Sequence, residues 1–175
     1  PDLRDPWFMP APLTGPGFPR RAALALEPDG MAVDPSAKDA LRSSAAALEA
    51  AGWQIEEVAC PPLREAAQIN AQLWMAETQL AAGDAIQREN DPDALFVFDL
   101  MTKDCGPVDG DTVMRALQRR AGIVRTWELF LQDYPVLICP ISGERPFAAQ
   151  RDVRSEEDFF QIFEAQLTQR ELPVM

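Results

Sequence analysis

Apolar and polar residues follow one another along this chain with periods that predict short strands separated by longer helices. Arg21 to Leu26 is a short apolar run that predicts a strand. Apolar residues then recur on one face of a helix, at Ala37, Leu41, Ala45 and Leu48. Residues 53–58, WQIEEV, alternate in polarity as a half-buried strand does. Residues 22–58 therefore predict a strand–helix–strand unit.

Turn and capping residues mark the ends of this helix. Residues 28–30, PDG, predict a turn before it. Asp34 is a good N-cap, Pro35 suits the first helical position, and Gly52 suits the position just after the helix. A strand, a helix and a strand in this order favour a right-handed crossover between parallel strands. The alternating pattern of residues 53–58 predicts a strand near a sheet edge.

Residues 62–132 predict a helical insertion. Three helices are expected there, over 63–89, over 93–101 and after an N-cap at Asp109 or Asp111. Gly83 is a candidate break in the first helix. The apolar stripe of the third helix is predicted at Val113, Leu117, Ala121, Val124, Trp127 and Leu131.

Residues 134–175 predict a buried strand, a loop and a C-terminal helix. Tyr134 to Cys139 is a continuous apolar run next to prolines, which is typical of a strand buried on both faces. We expect it to be the central strand of the sheet. Ser155, with Asp158 three residues later, resembles a capping box. A helix should therefore follow to about Arg170.

Residues 1–21 contain six prolines and two glycines, which exclude a helix or a central strand. They predict an extended arm, with Trp7, Phe8 and Phe18 holding it against a surface. The whole pattern predicts a single α/β domain over residues 1–175. Its fold class is a small, mostly parallel sheet with packed helices and a helical insertion.

The charge balance argues against a nucleic-acid partner. The chain has 28 acidic and 16 basic residues and a net charge of −12, whereas phosphate backbones call for clustered Lys and Arg. No apolar run approaches the roughly 20 residues that span a bilayer, so no membrane partner is expected.

Three widely spaced cysteines fit reduced thiols in the cytoplasm. The chain has no histidine, and the Asp109–Asp111 pair, a candidate for binding a cation, falls far short of a full calcium loop, so no metal site is expected.

Four stretches taken in order resemble the second half of an amidase signature enzyme. The similar stretches are DPWFMPAPL (residues 5–13), GPGFPRRAALALEPDGMAVDPSAKDALRSSAAALEAAGWQIEEV (15–58), YPVLICPISGERPF (134–147) and ELPVM (171–175). Each motif is weakly specific by itself, and their order is more so. The resemblance implies a cofactor-free enzyme that hydrolyses a small-molecule carboxamide.

Enzymes of this family use a serine nucleophile, a bridging serine and a lysine, and a Gly-rich loop binds the oxyanion. No serine of this chain lies in such a loop. Ser43 and Ser44 lie near Lys38, but all three belong to one predicted helix, and we interpret them as surface residues. The resemblance therefore implies that no catalytic residue is carried here. It implies a catalytic centre N-terminal to residue 1 and a chain truncated at both ends.

Five residues are candidates for the substrate pocket, namely Cys139, Ile141, Ser142, Trp74 and Trp127. The first three follow the predicted buried strand, and ligands of α/β sheets gather at the carboxyl ends of strands. The two tryptophans could bound an acyl group. The alternative for Cys139 and the tryptophans is ordinary core packing. For the chain as a whole, the alternatives are a non-catalytic binding or regulatory module and a homodimer formed through exposed edges.

Overall fold

The computed structural model describes residues 19–146 and 153–171. The described residues form three strands, β1 (Arg21–Leu24), β2 (Gln54–Glu57) and β3 (Val136–Ile138). The helices are α1 (Pro35–Ala50), α2 (Arg64–Glu89), α3 (Pro92–Cys105), α4 (Gly110–Asp133), α5 (Glu156–Ala165) and α6 (Leu167–Glu171). The arm predicted over residues 1–21 lies, up to residue 18, outside the described residues, and so do residues 172–175.

The three strands form a parallel sheet in the order β2-β1-β3. The register pairs Ala23 of β1 with Glu56 of β2 and with Leu137 of β3. The predicted α/β class, the parallel pairing and the edge position of β2 are confirmed.

The prediction that β3 is the central strand is wrong, because β1 lies between the other two. Ala22 and Ala23 of β1 are fully buried, whereas all three residues of β3 are half-buried. An apolar run indicates that both faces of a strand are covered by other elements. The position of a strand in a sheet depends instead on hydrogen bonds along its two backbone edges, which the side-chain pattern of β3 does not indicate.

Helix α1 is the crossover between β1 and β2, and its predicted ends are confirmed. The Asp34 carboxylate accepts a hydrogen bond of 2.8 Å from the Ser36 N–H, and Pro35 opens the helix. Gly52 follows the helix with φ +85°, a conformation that costs other residues energy. The helix covers one face of the sheet through a cluster formed by Leu24, Leu26, Leu41, Ala45, Ile55 and Ile138.

A second cluster covers the other face of the sheet. Its buried members are Met31, Val33, Leu63, Ala67, Trp127 and Leu167, and half-buried Leu137 of β3 packs against them. These residues come from the loop after β1, from Leu63 just before α2, and from α2, α4 and α6. The sheet therefore lies between α1 on one side and the helical insertion with the C-terminal helices on the other.

Helix α2 is continuous over 26 residues, so Gly83 does not break it. One interior glycine costs a helix only about 1 kcal/mol, which a long packed helix tolerates. Asp29, predicted only as a turn residue, caps this helix. Its Oδ2 accepts hydrogen bonds from the Leu63 and Arg64 N–H groups, at 3.0 and 2.9 Å.

Two predictions for the later helices are wrong in detail. In α4 the core-facing residues are Ala116, Ile123, Trp127 and Phe130, whereas Leu117 is 43% exposed. The stripe is displaced because α4 packs on α2 through small Ala116 rather than through the larger leucines. The C-terminal helix divides at Gln166, since the Ala165 carbonyl accepts the Gly143 N–H instead of continuing the helical pattern.

Within the described ranges no helix is long and apolar enough to cross a membrane.

Candidate functional site

The loop after β3 is fixed in place by Gly143. Its N–H donates to the Ala165 carbonyl and its carbonyl accepts from the Asp34 N–H, both at 2.7 Å. A Cβ atom at this position would lie 2.3 Å from the Ala32 carbonyl oxygen, so only glycine fits without movement of the backbone. This loop therefore connects the start of α1 to the junction of α5 and α6.

The predicted pocket residues of this loop differ in exposure. Cys139 is half-buried, Ile141 is 76% exposed, and Ser142 is half-buried. The Ser142 hydroxyl oxygen accepts a 3.2 Å hydrogen bond from the Glu144 N–H, which is a local turn contact.

A cavity of about 310 Å³ lies among α2, α3, α5 and α6. Its apolar lining is rich in large and flexible side chains, including Trp74, Met75, Val97, Met101, Phe159 and Phe163. The Phe159 and Phe163 rings lie with centroids 3.9 Å apart on consecutive turns of α5. Trp74 is 63% exposed, an unusual fraction for so large an apolar side chain. The cavity thus offers aromatic surface to a ligand.

Arg170 of α6 forms a polar end to this cavity. Its Nη2 donates to Oδ2 of Asp104 at 2.9 Å, and its guanidinium lies 4.3 Å from the centroid of the Phe163 ring. The Arg170 carbonyl accepts a 2.7 Å hydrogen bond from Asn70 Nδ2. Gln68 Nε2 donates to the carbonyls of Asp104 and Cys105, which fixes the end of α3 on α2.

Helix α6 links the cavity to the loop after β3. Gln169 lines the cavity, and its Nε2 donates to the Ile141 carbonyl at 3.2 Å. Gln169 therefore relates two of the predicted pocket residues, because it lines the cavity with Trp74 and bonds the carbonyl of Ile141. Cys139 and Ser142 belong to the same loop but do not line the cavity.

Trp127 belongs to the core cluster that covers the second face of the sheet. It is 3% exposed and does not line the cavity, and its Nε1–H has no hydrogen-bond partner among the residues that the structure describes. Its ring meets Phe130 edge to face at 5.7 Å. A role for Trp127 in a pocket stays a prediction.

Of the residues that line the cavity, the sequence predicts only Trp74, and those missed include Phe159, Phe163, Asp104 and Arg170. The i, i+4 spacing of two phenylalanines on a short helix was a usable signal, because it places both rings on one face. Asp104 and Arg170 are 66 positions apart. Nothing in the local pattern of either residue indicates the other.

All serines and lysines of the chain lie in the described ranges, and none forms a serine–lysine pair there. Ser43 and Ser44 donate to carbonyls of their own helix, each at 2.9 Å. Lys38 pairs with Glu27, and Lys103 pairs with Glu156. These contacts agree with the interpretation of the Ser43, Ser44 and Lys38 group as helix-surface residues.

The titratable groups near the cavity are engaged in ion pairs or are inert. The Arg64 guanidinium holds the pKa of the Glu164 carboxyl below its ordinary value by hydrogen bonding. Burial raises the pKa of the Cys105 thiol, which favours the unreactive protonated form. Among the described residues no group of three or more His, Cys, Asp or Glu side chains could hold a metal ion.

A second cavity, of about 600 Å³, lies at the carboxyl ends of β1 and β2. Charged side chains dominate it, among them Glu27, Lys38, Arg42 and Glu57, and Lys38 is paired with Glu27. It offers little apolar surface, so the cavity beside Trp74 is the better candidate for an organic ligand.

Comparisons with known proteins give one family. The sequence model of the amidase family matches residues 19–168. An indoleacetamide hydrolase of Bradyrhizobium diazoefficiens is 34% identical over 164 residues, which cover 93% of this chain and 31% of that protein. An indoleacetamide hydrolase of Bradyrhizobium japonicum is 32% identical over 164 residues, which cover 93% of this chain and 35% of that protein. The chain therefore spans about a third of the length of these relatives.

Proposed function

The chain belongs to the amidase family, and from that premise we propose that it forms the acyl side of the substrate pocket of an amide hydrolase. The reaction is the hydrolysis of a carboxamide. Water adds its oxygen to the carbonyl carbon, the C–N bond breaks, and the products are a carboxylic acid and ammonia or an amine.

We infer an aromatic acyl group for the substrate. The two relatives are named as hydrolases of indoleacetamide, and the cavity beside α6 has the matching chemistry. Trp74, which is 63% exposed, offers a ring face to a planar aryl group, and half-buried Phe163 lines the same cavity with buried Phe159 packed against it. A volume of about 310 Å³ suits a small ligand, at the lower end of the usual range of about 300–1,000 Å³.

The proposal assigns no nucleophile to these 175 residues. A serine needs an adjacent base before it can attack a carbonyl carbon. Ser142 and Ser155 hold turn and cap contacts, and Ser36 donates to its own N-cap, Asp34. Together with the helix-bonded Ser43 and Ser44, these contacts support a segment that supplies no nucleophile.

The aromatic cavity is the observation that carries this proposal, and binding of an aryl amide tests it. Calorimetric titration of the chain with 2-phenylacetamide should show one site. Trp74→Ala should weaken binding by about tenfold or more, because one stacking face is lost. Leu80→Ala is the matched control, since Leu80 lies on the same helix, is 90% exposed and does not line the cavity.

Two results would contradict the proposal. One is wild-type binding that Trp74→Ala leaves unchanged, or that Leu80→Ala weakens equally. The other is release of ammonia from the amide by the chain itself, whether or not it persists in a Ser43→Ala, Ser44→Ala double variant, because either result would show a nucleophile here.

Cytoplasmic location and a homodimer stay predictions of this proposal. Sedimentation at increasing concentration tests the dimer, and a single monomeric species at high concentration would exclude it.

A further inference from the structure

The charged pair in the cavity wall is well shielded from water. The Arg170 and Asp104 side chains are 21% and 19% exposed, and the Nη2–Oδ2 distance is 2.9 Å. Both residues line the aromatic cavity. They also line a smaller cavity of about 200 Å³ on the other side of the pair. The pair is therefore a partition between two cavities, and its net charge is zero.

The other charged groups beside Arg170 are engaged elsewhere. Glu164 and Arg64 line the smaller cavity. Arg64 holds both oxygens of Glu164, with Nη1–Oε2 at 2.6 Å and Nη2–Oε1 at 2.5 Å. Such a two-point pair is strong and geometrically fixed. Asp104 is therefore the carboxylate that neutralises Arg170, and Glu164 is not free to replace it.

Substrate and product of amide hydrolysis differ in charge at the reacting group. The carboxamide is neutral, whereas the acid product is an anion at neutral pH. An arginine fork matches a carboxylate, so an unpaired Arg170 in a shielded wall would hold the product more tightly than the substrate. A guanidinium already paired with Asp104 has no such preference.

We propose that Asp104 is a specificity-determining residue that occupies Arg170, so that the cavity accepts a neutral aryl carboxamide and releases the aryl carboxylate. This inference rests on the proposed function, because it takes the cavity to be the site of the acyl group. It assigns Asp104 a role in binding selectivity and no role in bond cleavage.

The ratio of acid to amide affinity tests the role of Asp104. Phenylacetate and 2-phenylacetamide are titrated into the wild-type chain and into Asp104→Asn, which keeps the shape and an acceptor oxygen but loses the charge. The ratio should rise at least about tenfold in the variant, as expected for a newly available charged hydrogen bond. Asp104→Glu should restore the wild-type ratio. Asp99→Asn makes the same charge change on an exposed position of α3 and should leave the ratio unchanged.

Arg170→Gln gives a second, independent reading if Asp104→Asn does not fold. It removes the cation and leaves Asp104 in the wall, so acid binding should weaken about tenfold relative to the amide. An unchanged ratio in either folded variant, with amide binding intact, would overturn the inference and leave the proposed function standing. An equal rise in Asp99→Asn would overturn it too. If neither probe binds the wild-type chain, the proposed function fails, and this inference fails with it.

Discussion

The sheet region and the helical layer of this chain are stabilised in different ways. The sheet region, residues 19–60 and 134–146, buries small strand residues between α1 and the opposite helices. The helical layer, residues 61–133 and 153–171, exposes large apolar side chains such as Leu80 and Trp74. Salt bridges such as Arg64–Glu164 join helices of the layer that are distant in sequence. We call the sheet region the frame, and we propose that the helical layer is the part that faces a ligand.

The two tryptophans of the helical layer give the sharpest contrast in stability. Trp127→Ala should lower the free energy of unfolding by about 3–5 kcal/mol, because a large buried ring leaves a cavity in the core. Trp74→Ala should change it by about 0.5 kcal/mol or less, since most of that ring is exposed. Urea unfolding followed by circular dichroism measures both. Equal losses would show that Trp74 is a core residue and not a ligand-facing one.

A substitution at Gly143 tests whether the loop after β3 is a fixed part of the frame. Gly143→Ala should lower the free energy of unfolding by about 1–3 kcal/mol or more, since the added methyl group meets the Ala32 carbonyl. Gly122→Ala in α4 is the matched control, because nothing lies within 4 Å of a Cβ atom there. A helix gains up to about 1 kcal/mol from that change. If Gly143→Ala is as well tolerated as Gly122→Ala, the loop after β3 is not a fixed part of the frame.

Asp29 joins the two regions and should contribute a smaller effect. Asp29→Ala removes the acceptor for the Leu63 and Arg64 N–H groups and places an alanine at φ +51°, and the two changes together should cost about 1–2 kcal/mol. Asp111→Ala is a suitable comparison, because Asp111 lies in the first turn of α4 and does not cap it. Thermal unfolding of both variants gives the comparison. An Asp29 variant as stable as the wild type would mean that α2 starts without this cap.

The smallest effect concerns pH and the ion pairs of the helical layer. The pKa of Glu164 is lowered from its ordinary value of 4.5 by hydrogen bonds from Arg64. A lowered folded-state pKa contributes stability above the ordinary value, and this stability is lost as the pH falls through the folded-state pKa. Because both side chains are nearly half exposed, the contribution should be under about 1 kcal/mol.

The test is to measure the free energy of unfolding from pH 6 to pH 3 for the wild type and for Glu164→Gln. The wild type should lose more stability than the variant as the pH falls below 4.5. If the two stability curves are parallel, the Arg64–Glu164 pair does not contribute measurably to the stability of the helical layer.

The sequence predicted the frame better than the layer, for a physical reason. Asp34, Pro35 and Gly52 act through bonds to residues close in sequence, so the ends of α1 could be predicted. The central position of β1 depends on backbone pairing with strands far along the chain, which side-chain patterns do not record. The stripe of α4 and the division at Gln166 depend on contacts with α2 and Gly143.

The candidate site also depends on contacts between residues that are distant in sequence. The cavity needs side chains from four helices between positions 67 and 170. Trp74 was predicted from its residue type. Arg170 and Asp104 could not be, because each is an ordinary surface charge until the helices pack.

Titration of the isotope-labelled chain with 2-phenylacetamide, followed by NMR of the tryptophan indole N–H signals, tests the binding role most directly. The chain has four tryptophans. We predict a saturable shift of the Trp74 signal and little change in the Trp127 signal, with no ammonia released. A static Trp74 signal, or a larger shift at Trp127, would contradict it.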